Sequence, residues 1–288
     1  MRPQFLNLAT SSFSLWLENF VLSRGGGFTT GVSSLFYPVG SVHSGLYCYA
    51  SPYQPQVVDS SIATPTTGIY VNGSFLQRNQ TPFVDFNYKR NQAFFTSPVS
   101  NVSGYFTLNE INVLPLNISE DQLLFETKFS QRSKTSQSLS GLKSNTYTYP
   151  SIYIKGFSNR NEPYAFGGED LSKVTIGLFL IMESVYQVDA LKSILADAKQ
   201  ELVPLFTEDK FPFNIYGGLK ETGSNFNYST LKTAYLQAGS GLYIEDATIS
   251  SFKREYNVDS NNLNPGVFWA VADIILSKSR YPRQNTQI

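Results

Sequence analysis

Hydrophobic residues recur at helical intervals near the start of the chain. Four of them fall three or four positions apart and line one face of a helix: Phe13, Trp16, Leu17 and Phe20. This spacing predicts a helix over residues 12–21, with Ser11 or Ser12 as its cap. The glycines at 25–27 tolerate positive φ and therefore end the helix.

From there to residue 129 the pattern is that of β-structure. Short stretches of aromatic and β-branched residues alternate with turn residues at a spacing of about 8–12 positions. The clearest hairpin spans residues 68–76 around Asn72-Gly73, a two-residue loop suited to a type I′ turn because both positions accept positive φ. A second hairpin is predicted around Asn87 to Gln92.

A second amphipathic pattern occurs in the C-terminal half. Five apolar residues share one face of a helix predicted over residues 187–202: Val188, Leu191, Leu195, Ala198 and Leu202. Pro204 ends this helix. A strand is predicted before it, over residues 173–184, and two long strands follow it, over residues 242–252 and 268–276.

These elements predict an α+β, β-rich fold. Residues 1–130 are interpreted as the initial helix with an antiparallel β-sandwich or barrel-like domain. Residues 131–149 are polar and begin with a cationic stretch, which indicates either a flexible linker or a long loop that orders against a neighbouring subunit. Residues 150–288 are predicted to form an α+β assembly domain with a small sheet and one main helix.

Composition narrows the classes of function. The 288 residues include 22 Lys and Arg and 22 Asp and Glu, so the formal net charge is zero. A basic face for a nucleic-acid backbone is therefore not expected, and a net charge near zero favours association. Filling of a β-rich core explains most of the 22 Phe and 18 Tyr. Subunit interfaces, or a sugar-binding platform at Tyr47, Tyr49 and Tyr53, are the alternative explanations.

A single histidine and a single cysteine exclude most catalytic and metal chemistry. Cys48 has no partner for an intrachain disulfide and is predicted to be buried, and His43 is predicted to lie on the surface or in a turn. Only oxygen ligands remain for a metal, so we predict neither a metal nor a cofactor. The glycines at 25–27 lack the following Lys and Ser or Thr of a phosphate-binding loop.

Adjacent acidic residues are the remaining catalytic candidates. They occur at Glu120-Asp121, Glu169-Asp170 and Glu245-Asp246. A glycosidase pair comes from two different strands that face a cleft, so these neighbours are interpreted as loop and turn charges. We predict that the chain is not an enzyme, and a hydrolase that uses Glu169 or Asp170 is the weakest alternative.

The start of the sequence has neither the apolar region nor the cleavage site of a secretory signal, and no apolar stretch reaches 18 residues. We therefore expect synthesis in a reducing cytosol and no contact with a membrane.

Three stretches resemble virion structural proteins of myovirus-type tailed bacteriophages. They are Ser51-Pro52-Tyr53, Asp59-Ser60-Ser61 and Tyr70-Val71-Asn72-Gly73. The order of elements from Phe166 to Leu195 is similar to that of neck and tail-terminator subunits. The resemblance implies small α/β or α+β units that form a ring, for example a hexamer, at the head–tail junction. Other neck or tail proteins would be its partners, and genomic DNA would pass through the lumen as cargo.

The sequence thus predicts a virion structural protein of the neck or tail, assembled in the host cytoplasm. The alternative is a glycan-binding module of a tail fibre or baseplate. The candidate interface residues lie on the second helix, in the cationic stretch and near the C-terminal segment: Val188, Leu191, Leu195, Arg132, Lys134 and Arg280.

Overall fold

The computed structural model describes residues 5–35, 42–43, 45–51, 55–116, 132–133, 148–165, 168–214, 217–220, 226–251 and 268–280. These residues contain the helices α1 (Phe5–Gly25), α2 (Val185–Asp197) and α3 (Tyr228–Gln237). The strands of the first half are β1 (Phe28–Leu35), β2 (Val42–His43), β3 (Leu46–Ala50), β4 (Gly68–Val71), β5 (Ser74–Gln77), β6 (Phe83–Asn87), β7 (Gln92–Phe95), β8 (Val102–Asn109) and β9 (Asn112–Pro115). Those that follow are β10 (Arg132–Ser133), β11 (Thr148–Tyr149), β12 (Ser151–Ala165), β13 (Glu169–Met182), β14 (Leu202–Pro204), β15 (Gly241–Ser251) and β16 (Phe268–Arg280). The α+β, β-rich fold is confirmed.

Two four-stranded antiparallel sheets enclose an aromatic core. Their strand orders are β1-β8-β4-β5 and β2-β3-β7-β6. Phe86 of the second sheet meets Phe106 of the first edge-to-face, with ring centroids 6.1 Å apart. Alternate residues of the strands point into this core, which is the pattern of a β-sandwich. The same packing buries four phenylalanines, Phe83, Phe86, Phe95 and Phe106.

Both predicted hairpins are confirmed. Val71 pairs with Ser74 across the first turn, where Asn72 and Gly73 have φ angles of +50° and +81°. The second hairpin joins β6 to β7, and Asn91 adopts a φ of +48° in its turn. Asparagine and glycine tolerate the left-handed region that these turns require.

A six-stranded sheet forms the second half of the fold. Its strand order is β14-β15-β16-β13-β12-β9, with β9 parallel to β12 and every other neighbouring pair antiparallel. Strand β12, which includes Tyr153 near its start, is 15 residues long. Along β13 the core face carries an apolar series: Val174, Ile176, Leu178, Leu180 and Met182.

The apolar residues of helix α1 pack on this sheet. Its buried residues, including Phe13, Trp16 and Leu17, belong to the same core as β12, β13 and β16. Close approach requires Gly156 in β12, because a Cβ there would lie 2.6 Å from Thr10 Oγ1. The domain boundaries at 130 and 150 stay a prediction, and α1 and β9 both contribute to the core of the C-terminal part.

The second helix is shorter than predicted, and a third is present. Helix α2 ends at Asp197, and Leu202, which was predicted to lie on its apolar face, is exposed in β14. The backbone leaves the helix because Gln200 adopts a φ of +74° and its N–H donates to Ile244 O. Helix α3 was not predicted, since the only residue it buries is Tyr228.

Candidate functional site: an aromatic stripe on the first sheet

Four large apolar side chains cross the outer face of the sheet β1-β8-β4-β5. Val32 of β1 is opposite Tyr105 of β8, and Tyr70 of β4 is opposite Phe75 of β5. Tyr70 also pairs with Ser103, two residues from Tyr105, so the two tyrosines are diagonal neighbours. We call these four residues, Val32, Tyr105, Tyr70 and Phe75, the aromatic stripe.

The aromatic stripe is exposed to solvent. Val32 and Tyr105 are 78% and 60% exposed, and Tyr70 and Phe75 are 40% and 46% exposed. Single exposed apolar residues are ordinary, but a contiguous group on one rigid sheet face is typical of an interaction surface.

The residues around the stripe hold its rings in place. The Phe75 ring lies over Gly68, where a Cβ would come within 2.5 Å of the ring. Tyr70 packs beside Phe75, with ring centroids 5.2 Å apart and planes tilted by 59°. The glycine therefore allows Phe75 to lie flat along the strand and beside Tyr70.

The positions that flank the stripe on this face are uncharged. They are Thr30, Ser34, Ser103 and Gln77. Covering the stripe would therefore remove no ionised group from water, which is the costly step when a charged surface is buried. The depletion of charge together with exposed tyrosines matches the composition of interface centres.

The sequence could not identify this stripe. Alternation shows that Tyr105 and Phe106 point to opposite faces, but either could have been the buried one. Only the pairing of β8 between β1 and β4 shows that Phe106 enters the core and Tyr105 faces outward.

The predicted interface on α2 is corrected. Val188, Leu191 and Leu195 are buried within the chain's own core against the six-stranded sheet. Their apolar face is occupied by the fold itself, so these three residues do not form a free surface. The large hydrophobic residues that this helix exposes, Val185 and Tyr186, are at its start, and Tyr186 is 81% exposed.

The structure describes two of the three cationic residues predicted for an interface. Arg132 is in β10, which pairs with β11, and Lys134 lies outside the described residues. Arg280 makes contacts within the chain: its guanidinium lies 4.0 Å from the centroid of the Phe5 ring, and Nε donates to Ser172 Oγ at 2.5 Å. Burial lowers the pKa of Arg280, and the nearby charge of Asp170 opposes this shift. Their role in an interface stays a prediction.

The tyrosines proposed for a sugar platform are not all exposed. Tyr49 is buried and its hydroxyl donates to Val99 O at 2.7 Å, while Tyr47 packs against the sandwich core. Tyr53 lies outside the described residues. Cys48 is buried as predicted, and burial raises the pKa of its thiol to about 11. His43 is in β2 and not in a turn.

The acidic neighbours within the described residues serve separate contacts. Glu169 accepts a hydrogen bond from Ser279, whereas Asp170, on the opposite face of β13, is buried. Beside the bulge in β15, Glu245 pairs with Lys173 and Asp246 with Lys199, each at 3.3 Å. The hydrogen bond from Thr248 and the Lys199 ammonium lower the pKa of Asp246. Glu120 and Asp121 lie outside the described residues.

Within the described part of the chain, no group of three or more His, Cys, Asp or Glu residues could hold a metal ion. None of the helices described there has the length and hydropathy needed to cross a lipid bilayer.

The sequence matches no protein-family model, and no curated protein matches it either.

Proposed function

We propose that the chain is a structural subunit of a multi-protein particle and that the aromatic stripe is the surface through which it binds another protein chain. The sequence resemblance supports a neck or tail position in a tailed bacteriophage. There, copies of the chain would form a tail-terminator-like ring that joins the tail to head-proximal components. DNA would pass through the lumen of this ring.

The observation that carries the proposal is the uncharged, exposed aromatic stripe on a rigid sheet. Tyrosine provides a large contact area with few rotatable bonds, and truncating it at the centre of an interface costs about 2 kcal/mol or more, roughly 30-fold in affinity. Water is displaced from four adjacent apolar side chains when such a face is covered.

A glycan-binding module of a tail fibre or baseplate is the second candidate. Sugar platforms place aromatic rings in nearly the same plane, so that one face of the sugar stacks on them. The Tyr70 and Phe75 planes are tilted by 59°, which favours an irregular protein surface over a flat sugar ring.

Native mass spectrometry of the purified chain tests the proposal. We expect the wild type to form a discrete ring, and the double substitution Tyr70→Ser with Tyr105→Ser to abolish it. Tyr186→Ser is the control, because it removes a tyrosine that is more exposed than Tyr70 or Tyr105 but lies outside the stripe, and it is expected to leave the ring intact.

A wild type that stays monomeric at high concentration would contradict the proposed assembly, as would a ring unaffected by the double substitution. A trimer together with sugar binding that is lost in the double variant would instead support the fibre module.

A further inference from the structure

Strand β1 is an open edge of the first sheet. It lies at the end of the order β1-β8-β4-β5, and among the residues that the structure describes no strand pairs with its other side. Its eight residues, Phe28–Leu35, include no charged residue and no proline, and its register with β8 is continuous from end to end. Such an edge is a template for strand addition.

The hydrogen-bond pattern identifies which backbone groups face outward. Glu110 N donates to Gly27 O at 2.7 Å, which makes Gly27 and Glu110 a hydrogen-bonded pair that precedes the ladder. Because such pairs alternate along antiparallel strands, Thr30, Val32 and Ser34 turn their N–H and C=O groups away from β8. Strand β8 shows the same alternation. Thr107, which lies opposite Thr30, faces away from β1, because its O accepts a hydrogen bond from Val57 N on the other side of β8.

The other long strand edges in the described part of the chain, those of β12 and β15, are protected. The exposed edge of β12 has two register shifts, Pro163 and the charged side chain of Arg160. The edge of β15 has a bulge next to Asp246. Bulges, prolines and charges are the devices that prevent edge pairing, and β1 has none of them.

The opposite edge of the first sheet, β5, is also a poor template. It has four residues, and the N–H of Gln77 is already bonded to Gln80 Oε1 at 2.8 Å. Val71 and Ser74 form the hydrogen-bonded pair of the hairpin, so the next pair, Tyr70 and Phe75, is not hydrogen-bonded. Phe75 is therefore the one residue of β5 that directs both a free N–H and a C=O outward.

We infer that β1 binds β1 of a second copy of this chain, antiparallel and around a two-fold axis beside Val32. In this register Val32 faces Val32 of the second copy, and Thr30 faces Ser34. Each of these three residues then gives one N–H and one C=O to the new ladder. The pairing is self-complementary, and with no charge in β1 no like charges meet across the axis.

The pairing also covers the most exposed large hydrophobic residue of the stripe. Val32 is 78% exposed, and its opposite neighbour in the second copy would lie about 5 Å away between Cβ atoms. The two aromatic stripes would then continue across one eight-stranded sheet. A ring is held together by heterologous contacts, in which two different surfaces meet. The two-fold contact through β1 would be an additional contact that joins subunits in pairs.

Charge substitution at Val32 tests the pairing. The wild type should contain dimers, or rings with an even number of subunits, in native mass spectra. Val32→Lys and Val32→Glu should each abolish the two-fold contact, because like charges meet at the axis, and an equal mixture of the two variants should restore it. An unchanged oligomer in both variants, or no recovery in the mixture, would overturn the inference.

A cross-link provides a second measurement that does not depend on loss of binding. Cα atoms of a hydrogen-bonded antiparallel pair are about 5.5 Å apart, within disulfide range. Val32→Cys should therefore form a disulfide-linked dimer on oxidation, whereas Tyr186→Cys, equally exposed on α2, should not. The native Cys48 is buried and does not compete. Equal cross-linking of both variants would contradict the inference.

Different variants test the proposed ring and the proposed β1 pairing. Tyr70→Ser with Tyr105→Ser should remove the ring and keep the two-fold dimer, since neither tyrosine is in β1. Val32 belongs both to the stripe and to β1, so the double tyrosine variant alone tests the proposed function, and an unchanged number of subunits in Val32→Lys would overturn the β1 pairing.

Discussion

The carboxylate of Asp59 accepts a hydrogen bond from the backbone N–H of Tyr228 at 3.1 Å, although the two residues are 169 positions apart. The same buried side chain accepts bonds from Asn19 Nδ2 at 2.7 Å and from the N–H and hydroxyl of Ser61 at 2.9 and 2.7 Å. Asp59 thus joins α1, the segment that leads to β4, and the start of α3.

Removing this carboxylate should destabilise the chain. Asp59→Ala leaves a buried N–H at Tyr228 and the amide of Asn19 without their acceptor, so we expect a loss of about 3 kcal/mol in the free energy of unfolding. Urea denaturation measures it. Asp189→Ala is the control, because Asp189 is exposed and forms an ion pair with Lys192 of the same helix, so the loss in the free energy of unfolding should stay below about 0.5 kcal/mol. Equal losses in both variants would contradict the role of Asp59.

The ion pair between Glu18 and Lys89 ties α1 to the sandwich. Lys89 Nζ lies 2.8 Å from Glu18 Oε2, and Asn109 Nδ2 donates to Glu18 Oε1 at 3.0 Å. Glu18 is buried, so Glu18→Ala should cost about 3 kcal/mol by leaving Lys89 unpaired. A double-mutant cycle with Lys89→Ala should give a coupling energy of about 1–3 kcal/mol. If the losses of the two single variants add up to the loss of the double variant, the ion pair does not couple α1 to the sandwich.

Gly156 should be intolerant of a side chain. A Cβ there would lie 2.6 Å from Thr10 Oγ1 and 3.1 Å from Leu6 Cδ1, so Gly156→Ala pushes α1 away from β12. We expect a loss of about 1–3 kcal/mol in thermal or urea unfolding. Gly31→Ala in β1 is the matched control, since nothing lies within 4 Å of a Cβ at that position. A similar loss in the control would refute the steric explanation.

The thiol of Cys48 should make stability depend on pH in the alkaline range. Burial raises its pKa from 9.0 to about 11, and the charge of Arg90 opposes the shift. Above pH 9 the unfolded chain ionises this thiol while the folded chain keeps it protonated, so the free energy of unfolding falls as pH rises toward 11. Below pH 9 the full stabilisation is present.

Other groups also titrate in that range, so the measurement compares two proteins. The wild type should lose more stability between pH 9 and 11 than Cys48→Ala does, as followed by urea midpoints. Parallel curves for the two proteins would indicate that Cys48 ionises equally in the folded and unfolded states.

Elements defined by local chemistry were predictable. The Asn72-Gly73 turn was read directly from residues that accept positive φ, and the register of β4 with β5 followed from it. The apolar face of α2 was also recognised as far as Leu195, but its end was not, because Leu202 continues the helical spacing while the backbone has already entered β14. Periodicity cannot distinguish these two outcomes.

Contacts between distant segments were not predictable. The motif Asp59-Ser60-Ser61 contributes to the resemblance, but nothing in the local sequence indicates that its carboxylate binds the start of α3. The interface assigned to Val188, Leu191 and Leu195 was wrong for the same reason, since an apolar helix face looks alike whether it meets another subunit or its own sheet.

By itself the sequence determined the β-rich α+β class, the turns of the two predicted hairpins and the burial of Cys48, because these depend on the preferences of neighbouring residues. Tertiary structure alone decided that α1 packs on the C-terminal sheet, that Tyr105 rather than Phe106 faces solvent, and that β1 is at the edge of its sheet among the described strands. Each of these depends on which strands pair, and pairing is selected by the burial of whole sheet faces rather than by any local pattern.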